Sequence, residues 1–113
     1  MKVLIATEGS EFSKSAVRGF CDMFRNVEGI EVKIISVVEP AVMPTEPFAM
    51  SPELVQQIDV AAERKAAAYA EEAAALIGRE LRIAGGPETK VVMGISVAAL
   101  VKEAEEWKAD LIV

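Results

Sequence analysis

The chain has 113 residues, the length of a single domain; 52% of them are apolar and only 5% aromatic. An aliphatic core of this kind favours a parallel sheet covered by helices. The net charge of −6 argues against binding to the phosphate backbone of nucleic acids and against docking on anionic membranes.

The counts of cysteine and histidine limit the chemistry further. Cys21 is the only cysteine and there is no histidine, so an internal disulfide is excluded and the commonest general base and metal ligand is missing. Cys21 lies beside Phe20 and Phe24 on a predicted helix, which favours packing over reactivity. The sequence contains no signal-peptide pattern and no apolar run of membrane-spanning length, so we expect a cytoplasmic protein.

The first third of the chain predicts a strand, a helix and a second strand. Residues 3–6 form a short apolar run, and Ser10 is a suitable helix N-cap with Glu11 in the first turn. Helical spacing of apolar residues follows, and Gly29 is expected to end that helix. Residues 32–38 are almost wholly apolar and predict a buried strand.

The middle of the chain predicts a long loop followed by a long helix. Residues 39–52 contain four prolines, a pattern typical of loops that are functional or mobile. Ser51 and Pro52 resemble a helix start, and the helix is expected to run to the low eighties, where Gly85-Gly86-Pro87 stops it. Residues 89–93 predict the third strand.

The last part predicts a short helix and a fourth strand at residues 111–113. Ser96 is the expected cap, and the helix carries an apolar stripe at helical spacing, made of Val97, Leu100, Val101, Ala104 and Trp107. The acidic cluster of Glu103, Glu105 and Glu106 is interpreted as a solvated helix face.

The order β-α-β-α-β-α-β predicts the fold class. Alternation of this kind indicates an α/β protein with an open parallel sheet in three layers, helices on both faces and right-handed crossovers. Residues 1–113 are expected to form one domain. Because the sequence ends inside an apolar strand, we expect a further C-terminal strand and helix to follow Val113.

Ligands of open parallel sheets bind at the carboxyl ends of the strands, near the point where the strand order reverses. Four segments are expected at that edge: residues 7–10, 36–39 and 93–96, and the residues that follow Val113. An ordinary strand-to-helix turn explains the first segment equally well. The sequence contains no phosphate-binding G-x-x-x-x-G-K-[ST] loop, no G-x-G-x-x-G after the first strand, and no suggestively spaced nucleophile and base.

Three stretches in order resemble the universal stress protein family: KVLIATEGSEFSKSAV, IISVVEP and VVMGISVAALVKEAEEWKADLIV. They are similar to that family's first strand, turn and helix, to its second strand, and to its third strand, glycine turn, short helix and fourth strand. The resemblance implies a five-stranded open sheet of the Rossmann-like, adenine nucleotide α-hydrolase type. It also implies a protein that is usually a homodimer and often binds ATP or AMP.

The resemblance also implies an adenosine pocket, carried over position by position. Its members would be Ala6, Thr7, Glu8, Val37, Met93 and Gly94, with Val37 offering main-chain groups to adenine. Glu8 stands where the family usually has aspartate, so its carboxylate reaches further toward the ribose. Ser36 and Ser96 replace the usual histidine and proline. The family's phosphate-binding glycine motif would follow Val113, so the phosphate ligands are expected there. Residues 1–113 are therefore expected to bind nucleotide weakly or not at all.

The function expected from the resemblance is binding of ATP or AMP, with or without Mg²⁺, in a stress-response protein without dedicated catalysis. A weak ATPase activity stays open, and no metal ligand is assigned. The alternative is a family member that binds no nucleotide and acts as a homodimeric interaction protein. An ATP-dependent enzyme of a related fold is disfavoured, because no Ser-Gly-Gly-rich loop or histidine signature follows the first strand. A phospho-receiver domain is disfavoured because the third strand ends in Met93-Gly94, without an aspartate.

Overall fold

The computed structural model describes residues 1–39 and 51–113. Its elements in chain order are β1 Lys2–Ala6, α1 Glu11–Phe24, β2 Glu31–Val38, α2 Pro52–Glu80, β3 Glu88–Met93, α3 Ser96–Trp107 and β4 Leu111–Ile112. Every predicted strand and helix is therefore present. Most of the loop predicted at residues 39–52 lies outside the described residues.

The four strands form one parallel sheet in the order β3-β2-β1-β4. The chain moves outward from β1 to β3 and then crosses back to place β4 on the other side of β1. The strand order therefore reverses between β1 and β4, which is the position where ligands of open α/β sheets bind. The predicted α/β class is confirmed.

The two faces of the sheet are covered differently. On one face, α1 and α2 bury a continuous aliphatic core built on alternate residues of the strands. Its members include Val3, Ile5, Val32 and Ile34 from the sheet, Val17, Phe20 and Cys21 from α1, and Ala70, Ala73 and Ile77 from α2. On the other face lie Lys33 and Ile35 of β2, against α3.

The prediction that Cys21 packs in the core is confirmed. Its side chain is 2% exposed, and burial, followed by the negative charge of Glu80, raises the pKa of its thiol. A thiol in this setting stays protonated near neutral pH and behaves as a small apolar group.

The starts of the first two helices follow the predicted capping chemistry. The Ser10 side chain accepts a hydrogen bond from the amide of Ser13, and the Ser51 side chain accepts one from the amide of Leu54. Helix α1 ends at Phe24, earlier than the end predicted from Gly29. Helix α2 ends at Glu80, close to the predicted end in the low eighties, and the next residue is already extended.

The prediction for the start of α3 is wrong. Ser96 does not cap the helix: Ile95 holds the N-cap position, and the Ser96 hydroxyl instead donates to Glu39 at 3.3 Å. The apolar stripe is also not uniformly buried, because the Val97 side chain is 73% exposed and Val101 is 45% exposed.

The interpretation of Glu103 as part of a solvated face is also wrong, since Glu103 is only 6% exposed. The cause is Lys33, which projects from β2 toward α3 and forms an ion pair with Glu103 at 3.0 Å. A carboxylate facing this cation is more stable than an apolar residue that leaves the lysine unpaired. Glu105 and Glu106 are exposed, as predicted.

Candidate functional site

The turn after β1 is held against β2 by two hydrogen bonds. The amide of Thr7 donates to the carbonyl of Ile35 at 3.0 Å, which extends the parallel ladder beyond the last strand residue. The buried hydroxyl of Ser36 donates to the carbonyl of Thr7 at 3.0 Å. These contacts fix the backbone of the turn before α1 begins.

Glu8 lies at the tip of this turn, with one carboxylate oxygen occupied. That oxygen, Oε1, accepts a hydrogen bond from the Ser10 hydroxyl at 2.7 Å, and the Glu8 amide donates to the Ser13 hydroxyl at 3.3 Å. Among the residues that the structure describes, none donates to the second oxygen, Oε2. Glu8 can therefore accept a further hydrogen bond from a ligand without losing its contact with Ser10.

Gly9 allows the turn to approach α2 closely. Its φ is +81°, in the left-handed region, and a Cβ at this position would overlap the ring of Tyr69. Both the backbone conformation and the available space therefore require glycine.

An open cleft of about 570 Å³ lies where β1, β2 and the start of α3 meet. Its residues form a mainly aliphatic lining with polar groups from Thr7, Glu8, Ser13 and Ser96; the others are Ala6, Ile35, Val37, Val97 and Leu100. An aliphatic cleft with a few polar groups suits a flat, partly apolar ligand that carries hydroxyls.

The structure brings four of the six predicted site residues together in this cleft: Ala6, Thr7, Glu8 and Val37. Met93 and Gly94 line a neighbouring open groove between β3 and α3. The amide of Gly94 donates to the carbonyl of Val38 at 2.9 Å, which ties this turn to the end of β2.

Sequence reasoning did not select several residues of the cleft, and two signals could have found some of them. Ile35 lies two residues before Val37, so it faces the same side of the sheet. Leu100 lies one helical turn after Ser96, on the same side of α3. Neither signal is specific until it is known that α3 covers this part of the sheet.

A buried ion cluster places α3 against the sheet below the cleft. Glu103 pairs through one oxygen with Lys33 and through the other with Lys90. The ammonium groups of Lys33 and Lys2 lie 5.6 Å and 5.4 Å from the ring centroid of Trp107. This cluster fixes the position of the helix that supplies one wall of the cleft.

The cluster shifts two pKa values in opposite directions. The hydrogen bond from Lys90, reinforced by Lys33, holds the pKa of Glu103 below its ordinary value despite burial. The same hydrogen bond raises the pKa of Lys90. Both groups are therefore charged over the whole neutral range.

Residues 1–39 and 51–113 contain neither a cluster of metal-ligating side chains nor a helix suited to cross a membrane. No three histidine, cysteine or acidic side chains in these ranges come together closely enough to hold a metal ion. No helix in them combines the length and the apolar character needed to cross a membrane.

Comparisons of the sequence and of the structure with known proteins point to the same family. The model of the universal stress protein family matches residues 1–113. No curated protein matches the sequence significantly.

Solved structures with the same fold include a universal stress protein family member from Burkholderia pseudomallei, at 19% identity and a TM-score of 0.73, with coverage of 98% of this chain and 77% of that one. Universal stress protein UspA from Lactobacillus plantarum has 15% identity and a TM-score of 0.80, with coverage of 100% and 74%. A universal stress protein in complex with cAMP has 24% identity and a TM-score of 0.58, with coverage of 99% and 69%. At these identities the likeness shows the fold.

Proposed function

The chain belongs to the universal stress protein family, and we propose that it binds the adenosine part of ATP or AMP in the cleft at the carboxyl ends of β1 and β2. The observation that carries this proposal is the convergence of Ala6, Thr7, Glu8 and Val37 in one cleft beside the strand-order reversal. The resemblance to the family implies an adenosine-binding role for these same four positions.

The cleft matches the parts of adenosine in a simple way. Adenine is flat and largely apolar on its faces, so it would lie between the Ile35 and Val37 side and the Leu100 side of the cleft. Main-chain groups near Val37 would recognise the edge of the base. The free Oε2 of Glu8 would accept from a ribose hydroxyl, as a charge-assisted hydrogen bond.

Met93 and Gly94 have a secondary place in this proposal. Both residues line the adjoining groove, and the hydrogen bond from Gly94 to Val38 supports the proposal that their turn would lie beside the adenine end of the cleft. They would limit the cleft at the adenine side through their backbone position. We assign no direct contact to either side chain.

The proposed activity is binding without dedicated catalysis, in a cytoplasmic stress-response protein. Glu8 is the one carboxylate among the residues lining the cleft, and it is assigned to the ribose. The described residues supply no metal cluster, so the proposal assigns no Mg²⁺ ligand to this chain.

The first test is binding of adenosine nucleotides to the purified chain by calorimetry. Glu8→Ala removes a charge-assisted hydrogen bond and should weaken adenosine binding about tenfold or more. Glu11→Ala, in the exposed first turn of α1, removes the same charge outside the cleft and should leave the affinity unchanged. Equal loss in the two variants, or no binding of any adenosine compound at millimolar concentration, would overturn the proposal.

The second test compares ligands that differ only in their phosphates. Because every residue assigned here contacts base or ribose, adenosine, AMP and ATP should bind within about threefold of one another. Cyclic AMP belongs in the series because a neighbour of this fold was solved with it. Much tighter binding of ATP would show that phosphate contacts dominate and that the residues assigned here are secondary.

A further inference from the structure

A second pocket lies between α1 and α2, on the opposite side of the β1–α1 turn from the adenosine cleft. The cavity itself has a volume of about 140 Å³, and with the open space at its mouth it reaches about 550 Å³. Its inner wall is apolar and is formed by Val17 of α1 with Ala73 and Leu76 of α2, and the ring of Tyr69 closes one end. Val17 and Ala73 are buried, so this wall belongs to the folded core.

The polar side of the pocket is cationic in a chain whose net charge is −6. Lys14 and Arg18 contribute from α1 and Arg79 from α2, against one acidic lining residue, Glu72. Glu72 is within 3.7 Å of Lys14, and Glu11 is within 3.8 Å of the same ammonium group. The acidic side chains next to the pocket therefore compensate Lys14.

The two arginines are uncompensated. Among the residues that the structure describes, neither Arg18 nor Arg79 has an ion-pair or hydrogen-bond partner. The carboxylates nearest along the helices, Asp22 and Glu80, are both engaged by Arg25, at 3.2 Å and 3.0 Å. Arg18 and Arg79 are both exposed and line one pocket from different helices, and neither pairs with a carboxylate of the described residues.

We propose that this pocket binds a small organic carboxylate with an apolar body. The apolar part would lie against Val17, Leu76 and the Tyr69 ring, where its burial removes apolar surface from water. The carboxylate would be held by Arg18 and Arg79, because the planar guanidinium matches carboxylate geometry with two parallel hydrogen bonds.

This site is separate from the proposed nucleotide site and does not depend on it. Thr7 borders both spaces, but Glu8 lines the adenosine cleft while Gly9 lines the pocket between the helices. A ligand of the second pocket would therefore contact the other side of the same turn. Loss of adenosine binding in a Glu8 variant should leave the second site intact.

The test uses 3-phenylpropionate and its neutral amide, 3-phenylpropanamide, as matched probes in a nuclear magnetic resonance titration. The carboxylate should shift the amide signals of residues 14–18 and 69–79 saturably, and should bind about tenfold more tightly than the amide. The double variant Arg18→Gln with Arg79→Gln should lose about the same factor. The control, Arg64→Gln with Arg82→Gln, changes the net charge equally at exposed positions outside this pocket.

Four results would each overturn the proposal of a carboxylate site. Equal affinity for acid and amide would show an apolar pocket without anion recognition, and equal loss in the two double variants would show unspecific attraction. Shifts confined to the adenosine cleft, or no saturable shift at millimolar probe, would also overturn the proposal. The folding control is the urea unfolding midpoint followed by circular dichroism, which both double variants should leave close to that of the unsubstituted chain, because all four arginines are exposed.

Discussion

Replacing Glu103 by glutamine should destabilise the fold far more than replacing any of the acidic residues around it. Glu103 is 6% exposed, and its two oxygens pair with Lys33 and Lys90. Glutamine keeps the size of the side chain and removes the charge. Lys33, which is 8% exposed, would then remain as a buried cation without its counter-ion.

The expected magnitude follows from which charges stay buried. Breaking a buried ion pair by removing one partner costs about 3–5 kcal/mol, and contact of Lys33 with the Trp107 ring favours the lower end. Lys90→Gln should cost below about 1 kcal/mol, because the Lys90 side chain is 47% exposed. Lys33→Met combined with Glu103→Leu removes both buried charges and should restore most of the lost stability.

Urea unfolding followed by circular dichroism measures these differences directly. Glu103→Gln should lower the midpoint without changing the slope, since the same surface is exposed on unfolding. Glu106→Gln, on the exposed side of the same helix, is the matched control and should leave the midpoint unchanged. A loss below about 1 kcal/mol in Glu103→Gln, or a Lys33→Met, Glu103→Leu variant as unstable as the single variant, would refute this account of α3 docking.

Two further predictions concern pH and the turn after β1. Because the pKa of Glu103 is held below 4.5, its charge stabilises the fold above that pH, and this stability is lost as pH falls through the lowered pKa. In Glu103→Gln, the urea midpoint should therefore fall less steeply as the pH is lowered through this range. The raised pKa of Lys90 adds stability below pH 10.5 that disappears as pH rises through the raised value. Gly9→Ala should lower the free energy of unfolding by about 1–3 kcal/mol more than Gly29→Ala, because both positions have positive φ but only a Cβ at Gly9 would meet the Tyr69 ring. Thermal unfolding measures the difference, and equal losses of stability in the two variants would show that the ring moves aside freely.

The elements and their order were predictable because the sequence signals are local. Ser10 and Ser51 cap helices as their spacing indicates, and the apolar runs form the strands. The end of α1 was less predictable, because Gly29 lies in the turn that follows the helix and not at its last residue, Phe24.

The candidate site was predictable to the extent that it follows from strand ends. Ala6, Thr7 and Glu8 end one strand, Val37 lies near the end of the next, and parallel strands bring these ends to one edge. The contribution of α3 depends on how that helix is rotated. The spacing of apolar residues along α3 does not by itself determine that rotation.

The rotation of α3 shows why one charged residue in a strand can override an apolar stripe. The stripe predicts that Val97 and Val101 face the sheet, yet both are exposed while Glu103 is buried. Lys33 lies on the α3 face of β2, so a helix that presented only apolar residues would leave a cation desolvated and unpaired. Pairing with Glu103 avoids that cost and also leaves Leu100 beside the adenosine cleft. The same ion pair that stabilises the helix therefore sets the shape of the proposed nucleotide site, and a variant that breaks it should lose adenosine affinity even though Glu103 does not line the cleft.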